Sequence, residues 1–64
     1  MTNNIKAILE AKGKTQKWLA SEIGATEASI SRYINGKRTP TVSMAFKISK
    51  ALGTDIDTVF NMKE

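Results

Sequence analysis

Gln16-Lys17-Trp18-Leu19-Ala20-Ser21-Glu22-Ile23-Gly24-Ala25-Thr26-Glu27-Ala28-Ser29-Ile30-Ser31-Arg32-Tyr33-Ile34 is the segment on which the fold turns. Thr15 precedes it and Thr26 interrupts it. Each is a residue type whose side-chain oxygen accepts an orphan N–H at a helix start. Gly24 stands before Thr26, where a left-handed residue ends a helix without a Cβ penalty. The spacing predicts helices over 16–23 and 27–34, joined by Ile23-Gly24-Ala25-Thr26. Two helices crossing steeply through so short a turn need a small residue at the contact, a glycine at the bend and apolar residues facing inward. Ala20 supplies the first and Gly24 the second, while Leu19, Ile23, Ile30 and Tyr33 supply the inner faces.

The same punctuation continues on both sides. A helix over about 3–12 is predicted, opened by Thr2 or Asn3 and stopped near Gly13. Another over 42–52 follows Pro40, with Thr41 as its N-cap and Gly53 as its stop. A short helix over 56–61 is capped by Asp55, with Asp57 favourably placed in its first turn. Apolar residues recur at i, i+3 and i+4, as in Ile5, Ile8, Leu9 and in Ile56, Val59, Phe60. No segment of useful length alternates strictly, so strands are not expected. None of these helices is long enough to be stable alone. The expected shared core is Ile5, Ile8, Leu9, Leu19, Ala20, Ile23, Ile30, Ile34, Val42, Ala45, Ile48, Leu52, Ile56, Val59 and Phe60. The fold class is therefore all-α, a compact five-helix bundle forming a single domain over 1–64.

Composition narrows the function. With 64 residues the chain buries only about 60% of its unfolded surface, leaving little room for a catalytic pocket. It has no Cys and no His, so thiolate zinc sites, disulfides, cysteine nucleophiles and the commonest general base are excluded. An enzyme is not expected, and neither is a cofactor, a metal or a catalytic residue. Ten Lys and Arg against six Asp and Glu give a net charge of +4. That balance favours an acidic partner, nucleic acid ahead of a membrane surface. No apolar run approaches the ~18 residues of a membrane span. The start Met1-Thr2-Asn3-Asn4 lacks the basic and apolar regions of a signal peptide, so a cytoplasmic location is expected.

The two central helices and their turn have helix-turn-helix spacing. Together with the flanking residues they resemble the Cro/CI repressor type of DNA-binding protein, often called XRE-like. The resemblance runs over essentially the whole chain. It is carried by Thr15-Gln16, Leu19-Ala20, Ile23-Gly24, Ile30-Ser31-Arg32-Tyr33 and Asn35-Gly36-Lys37-Arg38 with Pro40 following. Lys47-Ile48-Ser49-Lys50-Ala51-Leu52-Gly53 and Ile56-Asp57-Thr58-Val59-Phe60 add to it. It implies a lambda-repressor-like bundle whose helix over 27–34 enters the major groove. The implied activity is sequence-specific binding of a double-stranded operator by a prokaryotic or phage transcription regulator of the repressor kind.

On this resemblance, Thr26, Glu27, Ala28, Ser29 and Arg32 match the family's base-reading positions. A guanidinium at 32 pairs with O6 and N7 of guanine, and Ala28 offers a methyl to thymine. Glu27 either accepts from cytosine N4 or pairs with a neighbouring cation. Ser29 either touches a base or completes the helix start. The alternative for Arg32 is a surface ion pair with Glu27 or Glu22. Phosphate contacts are expected from Gln16 at a helix N-terminus, where N–H groups and dipole favour an anion. Asn35, Lys37 and Arg38 look like the family's phosphate loop, with Thr15 and Lys17, and more weakly Lys14 and Thr39, beside them. Asn35-Gly36 alternatively only ends the helix.

Two residues depart from the family pattern. Trp18 stands where a Glu would complete a capping box with Thr15. Its ring either lies over Lys14 or Lys17 or contacts DNA or a protein partner. Ile34 replaces a common Glu and is expected to extend the core. A homodimer on a pseudo-palindrome is implied. Val59, Phe60 and Met62 are the expected self-contact, with the end of the 42–52 helix as the alternative. The competing functional class is a protein-interaction module such as the antitoxin of a toxin–antitoxin pair, motivated by Trp18 and the apolar tail.

Overall fold

Local capping chemistry sets most of the helix ends. A computed structural model describes residues 3–60. It contains α1 (Ile5–Lys12), α2 (Gln16–Ile23), α3 (Glu27–Ile34), α4 (Val42–Leu52) and α5 (Ile56–Phe60), with no strand among the described residues. Thr15, Thr26 and Thr41 take extended backbone just before α2, α3 and α4. Each hydroxyl oxygen accepts the N–H three residues on, from Trp18 at 3.0 Å, Ser29 at 3.1 Å and Met44 at 3.1 Å. Such a cap contributes about 1 kcal/mol. At the bend between α2 and α3, Gly24 has φ 70°, and the Ala25 N–H donates to the Ala20 carbonyl at 2.9 Å. A Cβ at Gly24 would meet nothing within 4 Å, so the backbone angle alone calls for glycine there.

The first helix differs from its expected span. It begins at Ile5 with Asn4 as N-cap, and Thr2 lies outside the described residues. The reason is tertiary. Asn3 accepts the Ile5 N–H on Oδ1 at 3.3 Å and donates Nδ2 to the Tyr33 carbonyl at 2.8 Å. Asn4 donates its N–H to the Val59 carbonyl and its Nδ2 to the Thr58 carbonyl, both at 2.7 Å. These bonds tie the start of the chain to the end of α3 and to α5, so the two asparagines serve the bundle and not another helical turn. At α5, the Asp55 carbonyl accepts from Thr58 and Val59; residue 61 lies outside the described residues.

α2 packs on both α3 and α4, and α5 packs on both α1 and α4. The interior holds Ile5 and Leu9, Leu19 and Ala20, Ile30 and Tyr33, Ala45, Ile48 and Leu52, and Val59 and Phe60. Ile8, Ile23, Ile34 and Ile56 are half-buried against it. Each buried Ile, Leu, Val or Phe contributes about 1.5–3 kcal/mol. Ser49 is the one buried polar residue among those described, and its hydroxyl donates to the Ala45 carbonyl at 2.9 Å.

Two expectations need correction. Val42 is not core: it is 66% exposed. Thr41, Val42 and Ser43 are all exposed, so α4 meets the core only from Met44 and Ala45 onward. Val59 and Phe60 do not form a self-contact surface, since they are 0% and 2% exposed inside the chain's own core. A five-residue helix has too little apolar surface to cover α1 and α4 and also present an outer face. Met62 lies outside the described residues.

Candidate nucleic-acid interface

α3 buries Ile30 and Tyr33 against the bundle. At roughly 100° per residue, the opposite side of the helix is centred on Ala28, Ser31, Arg32 and Asn35. Glu27, Ala28, Arg32 and Asn35 are exposed, and Ser31 is half-buried. No ion pair to Arg32 from Glu27 or Glu22 forms among the described residues, so the guanidinium projects uncommitted. Glu27 in the first turn and Arg32 in the last turn each carry the sign the helix dipole favours, a local role compatible with an outward one.

Thr26 and Ser29 are engaged with each other. Thr26 accepts the Ser29 N–H and donates its hydroxyl to Ser29 Oγ at 2.9 Å. The Thr26 proton is therefore committed to the helix start, while the Ser29 hydroxyl keeps its own proton for an outside acceptor. Of the five expected base readers, Ala28 and Arg32 sit nearest the centre of the outer face, and Glu27, Thr26 and Ser29 sit at its edge.

The expected phosphate residues fall on two separate segments. Thr15, Gln16 and Lys17 form the N-terminus of α2, with Thr15 and Lys17 exposed and Gln16 half-buried. Asn35, Lys37 and Arg38 form the loop after α3 and are all exposed. That loop is not loose at its root. Gly36 has φ 72°, its N–H donates to the Tyr33 carbonyl at 3.2 Å, and the Lys37 N–H donates to the Arg32 carbonyl at 2.9 Å. This paired closure fixes the direction in which Lys37 leaves the helix. Over 14–38 the chain carries Lys14, Lys17, Arg32, Lys37 and Arg38 against Glu22 and Glu27, an electropositive surface suited to a polyanion.

Comparison with known proteins agrees with this geometry. A helix-turn-helix family profile matches residues 5–59, nearly all of the chain. The chain belongs to the XRE-like helix-turn-helix family. That family is one of DNA-binding regulators and not of enzymes. An uncharacterized HTH-type transcriptional regulator of Methanocaldococcus jannaschii is 33% identical over 60 residues, covering 94% of this chain and 91% of the relative. A crystal structure of a candidate DNA-binding protein from Bacteroides fragilis superposes with a TM-score of 0.82 at 34% identity, covering 91% of this chain and 94% of that one. Among the described residues no helix is long and apolar enough to cross a membrane.

Two features of this helix-turn-helix protein stand out against its sequence. Ser31 was absent from the expected base readers, yet it lies between Ala28 and Arg32 on the outer face, and Asn35 Nδ2 donates to its Oγ at 3.3 Å. The helical period from Ile30 and Tyr33 is the signal that places it. Trp18 keeps half of the capping box: its N–H bonds Thr15, while its ring packs half-buried against the core. The Lys14 ammonium lies 5.3 Å from the centre of that ring, within cation–π range. The ring thus supports a cation beside the N-terminus of α2.

Proposed function

We propose that this helix-turn-helix protein regulates transcription by occupying a specific duplex operator, with α3 in the major groove. The observation that supports this most is the outer face of α3. It presents Ala28, Ser31 and an Arg32 with no ion pair among the described residues, between a capped start and the electropositive Asn35–Arg38 loop. The major groove, about 12 Å wide, admits one helix, and its guanine edge suits a guanidinium. Arg32 reads a base, with Glu27, Ala28 and Ser29 beside it and Thr26 holding the helix start. Thr15, Gln16, Lys17, Asn35, Lys37 and Arg38 grip phosphates on either side.

The molecule measures 30 × 22 × 19 Å, so one copy covers one half-site. Half-sites in such operators repeat about every 34 Å, which favours two copies side by side on a pseudo-palindrome. The likeness to Cro/CI proteins favours repression by blocking access to a promoter, in the cytoplasm of a prokaryotic or phage-infected cell.

Selection from a random duplex pool at about 150 mM salt tests this, since non-specific binding is suppressed there. Enrichment of a two-fold-symmetric motif is the expected result. Enrichment of an unpaired half-site would remove the dimer, and no enrichment would remove sequence-specific reading.

A further inference from the structure

Lys14 and Lys37 leave their helices in the same way. Each follows a glycine in the left-handed region, Gly13 at φ 67° and Gly36 at φ 72°. The Lys14 N–H donates to the Leu9 carbonyl at 2.9 Å, as the Lys37 N–H donates to the Arg32 carbonyl. A helix closure thus fixes the root of both side chains. The tips differ. Among the described cations only Lys14 lies over an aromatic ring, its ammonium 5.3 Å from the centre of Trp18, and no ion pair competes for it among the described residues. The ring is itself held: Trp18 is half-buried against the core, and its N–H bonds the Thr15 hydroxyl at 3.0 Å. A stem that would otherwise sample many rotamers is held at its root by the end of α1 and at its tip by α2.

We propose that Trp18 is a positioning residue for DNA binding, holding the Lys14 ammonium ready as a phosphate contact beside Thr15, Gln16 and Lys17. The proposal rests on the docking given above, in which those three residues grip phosphates; Lys14 directly precedes them. A ring beneath an ammonium occupies one side of it. The N–H donors on the other side stay free for an oxygen acceptor, and Lys14 is exposed. A lysine that grips a phosphate gives up rotamer freedom, and Lys14 has given up part of it before DNA arrives. The residue type at 18 matters for charge. A Glu there would set a carboxylate against the ammonium and cancel it. An indole attracts the cation through its ring face and adds no negative charge.

Binding of the full chain to a labelled mixed-sequence duplex, followed by anisotropy from about 50 to 200 mM salt, tests this, because phosphate contacts are independent of base sequence. Lys14→Ala is expected to weaken binding and to reduce the slope of log K against log salt by about 0.9. Trp18→Leu keeps an apolar side chain against the core but removes the cation's seat. It is expected to weaken binding about two- to fivefold, the worth of an exposed cation–π pair. Combined with Lys14→Ala it is expected to add no further loss. Trp18→Phe, whose ring still attracts a cation, is expected to recover most of the affinity. A Trp18 that only supports the core would weaken binding independently of Lys14, so additive losses in the double variant overturn the proposal. An unchanged slope in Lys14→Ala, with Lys37→Ala still lowering it, overturns the proposal and leaves the docking standing. If neither lysine moves the slope, the docking falls and the proposal with it. Trp18 is the only tryptophan of the chain, so its emission decides the matter if Trp18→Leu does not fold. The spectrum is expected to change in Lys14→Ala, and identical spectra overturn the contact.

Discussion

α3 and α4 are alike inside and opposite outside. Each lays an apolar stripe on the bundle, Ile30 and Tyr33 from α3, and Ala45, Ile48 and Leu52 from α4. Outward, α3 shows Glu27, Ala28, Ser31 and Arg32, with only short or charged side chains. α4 shows Val42 and Phe46, the two large apolar side chains the core leaves out. The inner faces make the fold and are interchangeable in kind. The outer faces differ in kind: short, polar and charged side chains on α3, two large apolar ones on α4. A small domain can thus carry two outer faces of opposite polarity on helices that its core treats alike.

The comparison is broken most severely from inside. Ile30 is fully buried beneath α3, and Ile30→Ala is expected to cost about 2–5 kcal/mol of stability, read from thermal or urea unfolding. In a chain this small that loss should unfold a large fraction at 37 °C. An Ile30→Ala protein that melts normally would mean the inner stripe of α3 is not what holds it in place.

From outside, Arg32→Ala is expected to weaken operator binding by about 1–3 kcal/mol and relax specificity at one base position, with the melt unchanged. Titration against the selected operator and against single-base variants of it reads both quantities. Loss of stability without loss of preference would move Arg32 from the contact face to the helix-dipole role alone.

Between the two faces lies the bend. Gly24→Ala is expected to cost about 1–2 kcal/mol, the penalty of a Cβ in the left-handed region, because its surroundings are empty. Any larger loss in the melt would show that the bend also limits how closely α2 and α3 approach.

What could be read in advance divides along the same line as these effects. The ends of α2, α3 and α4 follow from Thr15, Thr26, Thr41 and the glycines, since a cap and its N–H lie three residues apart and need nothing from the rest of the chain. The start of α1 does not follow, because Asn3 and Asn4 bond carbonyls 30 and 54 residues away. Val42 sits on the apolar side of its helical period, but whether anything covers that first turn is a matter of tertiary placement. Val59 and Phe60 stand in both the expected core and the expected self-contact; packing of α5 on α1 and α4 gives both to the core. At the candidate interface, residue types at family positions pointed to Arg32 and the Asn35–Arg38 loop. The mutual bonding of Thr26 and Ser29, and the place of Ser31, emerge only with the helix built.

The smallest expected effect separates charge from reading. Lys37 leaves α3 through a closed, hydrogen-bonded turn and is exposed, and the proposed docking gives it a phosphate and not a base. Lys37→Ala is expected to weaken specific and random duplexes alike and to reduce the slope of log K against log salt by about 0.9, the release of one counterion. Arg32→Ala, by contrast, should affect the operator far more than random DNA. The pair of titrations, each run across salt on both duplexes, therefore tests whether positioning and recognition are divided between the loop and the helix. If Lys37→Ala alters base preference, or Arg32→Ala weakens both duplexes equally, that division is wrong and α3 docks with a different face.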